Sequence, residues 1–325
     1  MARKLLFLFR WGVFAVACWY LWREWSAGES TAALRWIRDS QVLKGGHAVA
    51  LSLVLVLMAV NWGIEALKWR FMVAPVQKLS FLNAFAGTLA GASVSLLTPN
   101  RTGEFVGRVM FVRPEARISA SALTVLGNVS QVLVTLVVGS GCLVYMHWTG
   151  RSLPVPAGWP LHQTVLLPLL ISLVASVFFL RPTFLRRTLD LFPFLRRFDH
   201  HFVVLSEQRT ITLLAILLLS FLRYAVFVAQ FVLLIGIFGP APSAFDAVLA
   251  VPVIFLLTTV TPTMMLTELG VRAGVAVAML VPFGASVEDA TWATTLLWSI
   301  NVLLPALLGS VILLFARIRT KQIAA

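Results

Sequence analysis

The chain has 325 residues, of which 59% are hydrophobic and only 12% charged, and its mean hydropathy is +0.91. The uncharged runs Ile118–Gly150, Ser152–Leu180 and Ala290–Ala316 each exceed the ~20 residues that cross a bilayer, and no ten-residue alternating segments occur; a soluble domain and a β-barrel are excluded. The net charge of +13 lies at the ends of apolar runs and on no single polar domain, so the expected partner is an anionic lipid surface on the cytoplasmic side and not nucleic acid.

In chain order, the first apolar segment covers about 5–22. Arg10 interrupts it, and Trp-rich flanks stand where a signal peptide would carry a small-residue cleavage site, so it reads as a retained first span. The loop 23–46 is basic, and its Trp25 and Trp36 suggest an interfacial helix. Further full spans are predicted at about 47–67, 118–147, 162–180, 210–237 and 290–316, six in all. Two apolar segments are broken: 80–113 at Thr98–Gly103, and 244–281 between Thr261 and Thr267. Neither half is long enough to cross alone, so each is expected to form a re-entrant helical hairpin. Cys18 and Cys142 fall inside apolar runs and make neither a disulfide framework nor a metal pair.

With the N-terminus inside, 17 of the 26 Lys and Arg fall on the cytoplasmic side, including Lys68, Arg70, Lys78 and the arginines between Arg181 and Arg209; the C-terminus is then cytoplasmic too. Arg101, Arg108, Arg223 and Arg272 are left within the membrane. The fold class expected is an all-α polytopic membrane protein. Residues 1–147 and 148–325 form two halves, each reading span, span, hairpin, span, of opposite orientation; this inverted repeat is a single membrane domain.

The two broken segments carry the same device. In TPNRTGEFVGR a Thr-Pro ends the apolar run and Glu104 is followed four residues on by Arg108; in TPTMMLTELGVR the pair is Glu268 and Arg272. Proline stops a helix, and the half-helix that follows starts with unpaired N–H groups that attract anions. Arg101, Gly103, Glu104, Arg108, Glu268 and Arg272 are therefore candidate substrate-binding residues, with Gly107, Gly270 and Gly274 admitting close approach of a backbone or ligand. The competing account is a plain intrahelical Glu–Arg pair, which the recurrence in both hairpins outweighs. Arg223, midway along its span, is either a further substrate contact or the partner of a hairpin carboxylate. Glu65 is expected to pair locally with Lys68, and Asn128, Gln131, Gln230 and Asn301 to bond neighbouring helices together.

No Walker loop, HExxH, GxSxG or Asp-x-Asp motif occurs. The acidic residues are scattered, so no catalytic residues, metal site or cofactor are expected, and no enzyme.

The segments LTPNRTGEFVGR and TELGVRAGV resemble the lysylphosphatidylglycerol synthase transmembrane family, the flippase-like domain also found in multiple peptide resistance factor proteins. Pro99, Arg101, Gly103 and Glu104 match its P-x-R-x-G-E pattern, and Gly270, Val271 and Arg272 its G-V-R. Where the family continues with Glu, Ala273 stands here, with Glu268 as the nearby carboxylate. The resemblance implies translocation of a phospholipid such as aminoacylated phosphatidylglycerol, or of a polyprenyl-phosphate-linked glycan, across the cell membrane, and no soluble synthase domain is expected. The alternatives are a secondary transporter of a small anionic solute and an accessory protein of lipid-linked glycan synthesis.

Overall fold

The computed structural model describes residues 46–96, 98, 103–151, 161–181, 203–205, 207–261 and 265–315. The expected span at 5–22, the 23–46 loop, most of the 181–209 segment, Arg101 and the tips of both breaks lie outside these residues. The described part is helical, without a strand: α1 (Gly46–Val73), α2 (Phe81–Ser95), α3 (Glu104–Val109), α4 (Arg117–Trp148), α5 (Leu161–Leu180), α6 (Thr210–Phe238), α7 (Ala244–Val260), α8 (Met265–Leu280), α9 (Val287–Trp298) and α10 (Leu304–Phe315). Four stretches are long and apolar enough to cross a membrane: His47–Val73, Pro114–Trp148, Thr210–Phe238 and Val287–Phe315. Their outward positions are apolar as well. Val49, Ile211, Leu218 and, on α5, Leu166, Leu170 and Leu173 are exposed, as lipid-facing surface should be. The chain is a multi-pass membrane protein.

Local chemistry sets the helix starts. Ser80, Ser243 and Ser286 cap α2, α7 and α9, each hydroxyl accepting the backbone N–H three residues on, at Asn83, Asp246 and Asp289. Asp246 and Asp289 place carboxylates at the positive ends of α7 and α9. The α9–α10 span is interrupted by a π-helical turn, Ser299–Leu303. Pro305, just beyond it, has no N–H to give the carbonyl of Asn301, which favours this local widening of the helix.

Each broken segment forms two helices that pack on each other, α2 on α3 and α7 on α8. Helix α2 is held between α3 and α10 at backbone contact. A Cβ at Gly107 would run into Ala90 O, and one at Gly309 into Leu89 O. Ser93 Oγ adds a 2.8 Å hydrogen bond to Ala306 O of α10. Gly139 likewise lets α4 approach α7, where a Cβ would stand 2.9 Å from Pro252 O. Small residues carry such packing because lipid tails give apolar side chains no reason to associate. Gly270 and Gly274 have nothing within 4 Å of an added Cβ, so the close approach expected there does not occur in the described structure.

Two apolar cores result. One joins α6, α7, α8 and α9 around Phe231, Ile254 and Met279; the other joins α1, α4 and α6 around Trp69, Leu123 and Ile216. A third, small cluster bears directly on the broken helices. Leu96, at the end of α2, forms a buried cluster with Trp298 and Ala306, and Leu269, beside Glu268 on α8, packs against that cluster.

Candidate functional site

Between α1, α3, α4 and α6 lies an ion cluster whose inner members, Glu65, Lys68 and Arg108, are buried. Its centre is Glu65 of α1, whose side chain is 2% exposed. Lys68 Nζ lies 2.9 Å from Glu65 Oε2, Arg108 Nη2 donates to Oε1 at 2.7 Å, and Arg223 Nη1 lies 3.2 Å from Oε2. Arg108 also binds Glu104 one helical turn before it, and the second oxygen of Glu104 accepts from Asn128 Nδ2 at 3.1 Å. Lys68 Nζ reaches Gly127 O at 3.3 Å and Ser220 Oγ at 3.4 Å. Arg223 stands 13 residues into α6, roughly 20 Å along it at 1.5 Å per residue, which puts the cluster near the middle of a span.

The electrostatics are unbalanced. Three cations (Lys68, Arg108, Arg223) face two carboxylates (Glu65, Glu104), leaving a formal excess of one positive charge among the described residues. The cations are further held by aromatic faces: Arg108 Cζ lies 5.8 Å from the ring centre of Trp69, and Arg223 Cζ 5.6 Å from Trp62 and 5.4 Å from Phe227. Nε and Nη1 of Arg108 are buried without a hydrogen-bond partner among the described residues. Guanidinium donors without a partner and surplus positive charge in a low-dielectric interior are chemistry that favours an anion with several acceptor oxygens.

A polar chain leads from this cluster to the second broken segment. Arg223 Nε donates to Asn61 Oδ1 at 3.0 Å, and Asn61 Nδ2 donates to Asn301 Oδ1 at 3.2 Å. Asn301, in the π-helical turn, borders a cavity of about 180 Å³ whose wall also includes Gln131, Tyr224, Phe255, Thr258 and Arg272. Arg272 Nε donates to Glu268 Oε1 at 3.0 Å, within α8.

Six of the seven site residues expected from sequence are described. Glu104, Arg108 and Arg223 are drawn to one cluster, and Gly103 caps the short helix that carries the first two; Glu268 and Arg272 pair with each other at the cavity. Arg101 lies outside the described residues. The Glu104–Arg108 and Glu268–Arg272 intrahelical pairs both form. Arg223 meets Glu65 and Asn61 and no hairpin carboxylate, because α6 lies directly against α1. The first half-helix, α3, has six residues, and the Gly103 N–H at its start is taken by Thr98 Oγ1 at 2.7 Å. Its end is a weaker anion site than a free terminus would be.

Two corrections concern Glu65 and Lys68. Glu65 does pair with Lys68, but that pair is one spoke of a hub that sequence reasoning missed. Lys68, counted as a cytoplasmic surface charge, has a side chain only 1% exposed. The signal in the sequence was a carboxylate within an apolar run that also had to neutralise Arg108 and Arg223. Asn128, Gln131, Gln230 and Asn301 do bond neighbouring elements, at Glu104, Ser220, Val54 and Asn61 respectively.

No curated protein and no solved structure matches the chain. The family model described as the lysylphosphatidylglycerol synthase TM region matches residues 7–309, nearly the whole sequence, and the chain belongs to that family.

Proposed function

We propose that this protein is a flippase- or scramblase-like transporter that moves a phosphate-bearing lipid head group across the cytoplasmic membrane, and that it is not an enzyme. The observation that carries the reading is the buried cluster with one positive charge in excess, deep in a membrane protein. A phosphodiester carries one negative charge and several acceptor oxygens, so it both neutralises the cluster and satisfies the free donors of Arg108.

In this reading the two helix pairs are re-entrant hairpins entering from opposite faces, in inverted halves 1–147 and 148–325, with both termini cytoplasmic. The packing of Leu96 and Leu269 on one cluster supports the convergence of their breaks. Arg223 is the most exposed of the cluster cations, at 16%, and its 3.2 Å contact with Glu65 is the longest of the cluster's ion pairs. It is the first cation an entering phosphate would take. Arg108 then receives the remaining oxygens, and Arg101 and Arg272 complete the path from either break. Glu65 and Glu104 hold the cations while the site is empty, and Glu268 holds Arg272. Alternating access arises as the halves rock about this site, with the lipid tails left in the bilayer.

The test is head-group movement of a fluorescent phospholipid in proteoliposomes. Native protein should move it above the protein-free rate, and Arg108→Ala should abolish the excess. A native rate equal to that of empty vesicles would remove the reading.

A further inference from the structure

Where α1 ends and α6 begins, a groove of about 690 Å³ lies on the surface of the helix pair. Leu67 and Phe71, one turn apart on α1, line it together with Leu218 and Leu219 of α6. Ala74 and Ala215 add little bulk between these larger side chains, which leaves the hollow. Leu67, Phe71 and Leu218 are exposed, so the groove is open along its length among the described residues.

Two cations stand at one end of this apolar slot. Arg70 lies in the last turn of α1, and its Nε donates to Leu79 O at 3.0 Å, which ties the guanidinium to the residue after Lys78. Arg70 and Lys78 are both exposed and both line the groove. Neither belongs to an ion pair among the described residues. From this charged end the slot runs into the span. Leu218 lies eight residues beyond Thr210, the first of α6, roughly 12 Å along it at 1.5 Å per residue.

We propose that the groove binds one anionic phospholipid of the adjoining leaflet, at a site separate from the ion cluster. Its phosphodiester bridges Arg70 and Lys78, and one acyl chain lies between α1 and α6. The volume corresponds to about twenty waters at ~30 Å³ each, and a methylene is close to a water in size, so one long chain fits. Charge decides the occupant. Residues 1–22 hold Arg3, Lys4 and Arg10 and no carboxylate, and residues 181–209 hold six Arg against three carboxylates. Either segment would bring more positive charge to Arg70 and Lys78. A zwitterionic lipid sets an ammonium beside the same two cations, whereas phosphatidylglycerol brings its phosphate charge alone. The bound lipid fastens α1 to α6 beside the cluster, since Leu67 and Leu219 are the chain neighbours of Lys68 and Ser220, whose side chains meet at 3.4 Å.

The experiment is photolabelling of the full chain in phosphatidylcholine vesicles with a trace of phosphatidylglycerol that carries a diazirine in its acyl chain. Peptide mass spectrometry locates the adducts. They should concentrate on Leu67, Phe71 and Leu218, at least fivefold over Leu166, Leu170 and Leu173 of α5, which are equally exposed. The same probe built on phosphatidylcholine should show no such concentration. Lys78→Gln and Arg70→Gln should each cut the groove adducts by about fivefold, which is ~1 kcal/mol per cation. Should Arg70→Gln melt early through loss of its bond to Leu79, Lys78→Gln decides alone, because Lys78 is exposed and bonds nothing in the described structure. Even labelling of groove and α5, equal labelling by the two probes, or adducts unchanged in Lys78→Gln overturns the proposal. So does a groove that neither probe labels, the result expected if another part of the chain fills it. The site needs neither the cluster nor lipid movement, so Arg223→Gln should leave the groove adducts as they are; their loss in that variant would contradict a separate site.

Discussion

Glu65 and Arg108 are 43 residues apart in sequence, yet Glu65 Oε1 and Arg108 Nη2 meet at 2.7 Å, and neither side chain is more than 2% exposed. This contact ties a spanning helix to the short helix beyond the first break. It converts what would be two separate local pairs, Glu65–Lys68 and Glu104–Arg108, into one five-residue unit with Arg223.

Removing the hub should therefore cost more than removing its neighbour. Glu65→Gln leaves three buried cations facing one carboxylate, a loss of about 3–5 kcal/mol, as when one partner of a buried ion pair is deleted. Glu104 is 20% exposed and its partner Arg108 keeps Glu65, so Glu104→Gln should cost about 1 kcal/mol. Thermal melting of the purified protein checks the order; equal melting of the two variants would contradict it.

Arg223 makes two directed contacts at once, to Asn61 and Glu65, while lying against Trp62 and Phe227. An ammonium is a compact point charge and cannot reproduce the planar fork. Arg223→Lys should thus lose most head-group movement in proteoliposomes although the charge is kept. A near-native rate would show that charge alone suffices.

The glycines separate into two kinds, and melting experiments should tell them apart. Gly309→Ala pushes a methyl into Leu89 O and should destabilise by about 1–3 kcal/mol, since backbone on both sides cannot yield. Gly274→Ala, with open space around it in α8, should stabilise by about 0.5–1 kcal/mol through helix propensity.

Leu269 packs against the cluster that Leu96 forms with Trp298 and Ala306. With both changed to cysteine (Leu96→Cys, Leu269→Cys), a short bis-maleimide should cross-link them within one chain, shown by altered gel mobility after cleavage between the halves. Absence of the cross-link while both thiols label singly would place the two breaks apart.

Much of this was legible in the sequence, and the gaps have physical causes. Long uncharged runs announce spans, so α4, α6 and α9–α10 lie within about three residues of the expected spans, while α1 runs on to Val73, past its expected end at 67, and α5 ranks among the shorter apolar helices. Arg108 and Arg223 stood out because an unpaired guanidinium in an apolar run is costly. Glu65 did not, since Lys68 three residues on offered an adequate local partner; only the approach of α3 and α6 made it a hub. The polar wall of the cavity was hidden for a related reason. Thr258 and Thr294 satisfy their hydroxyls on the carbonyls of Ile254 and Ala290 within their own helices, as many span threonines do, so nothing in their spacing marks them. The π-helical turn needed both Pro305 and its neighbours in space, and the packing glycines Gly107 and Gly309 could not be told from Gly270 and Gly274 until the helices were placed.

The central claim is that the cluster's surplus positive charge binds a lipid phosphate, and the affinity for phosphatidylglycerol of Glu104→Gln and Arg223→Gln, measured by native mass spectrometry against the native chain, tests it most directly. Neutralising Glu104 raises the excess to two and should tighten binding, whereas neutralising Arg223 removes the excess and should weaken it, each by roughly tenfold. Shifts in the same direction, or none, would contradict the claim and leave the cluster a purely structural one.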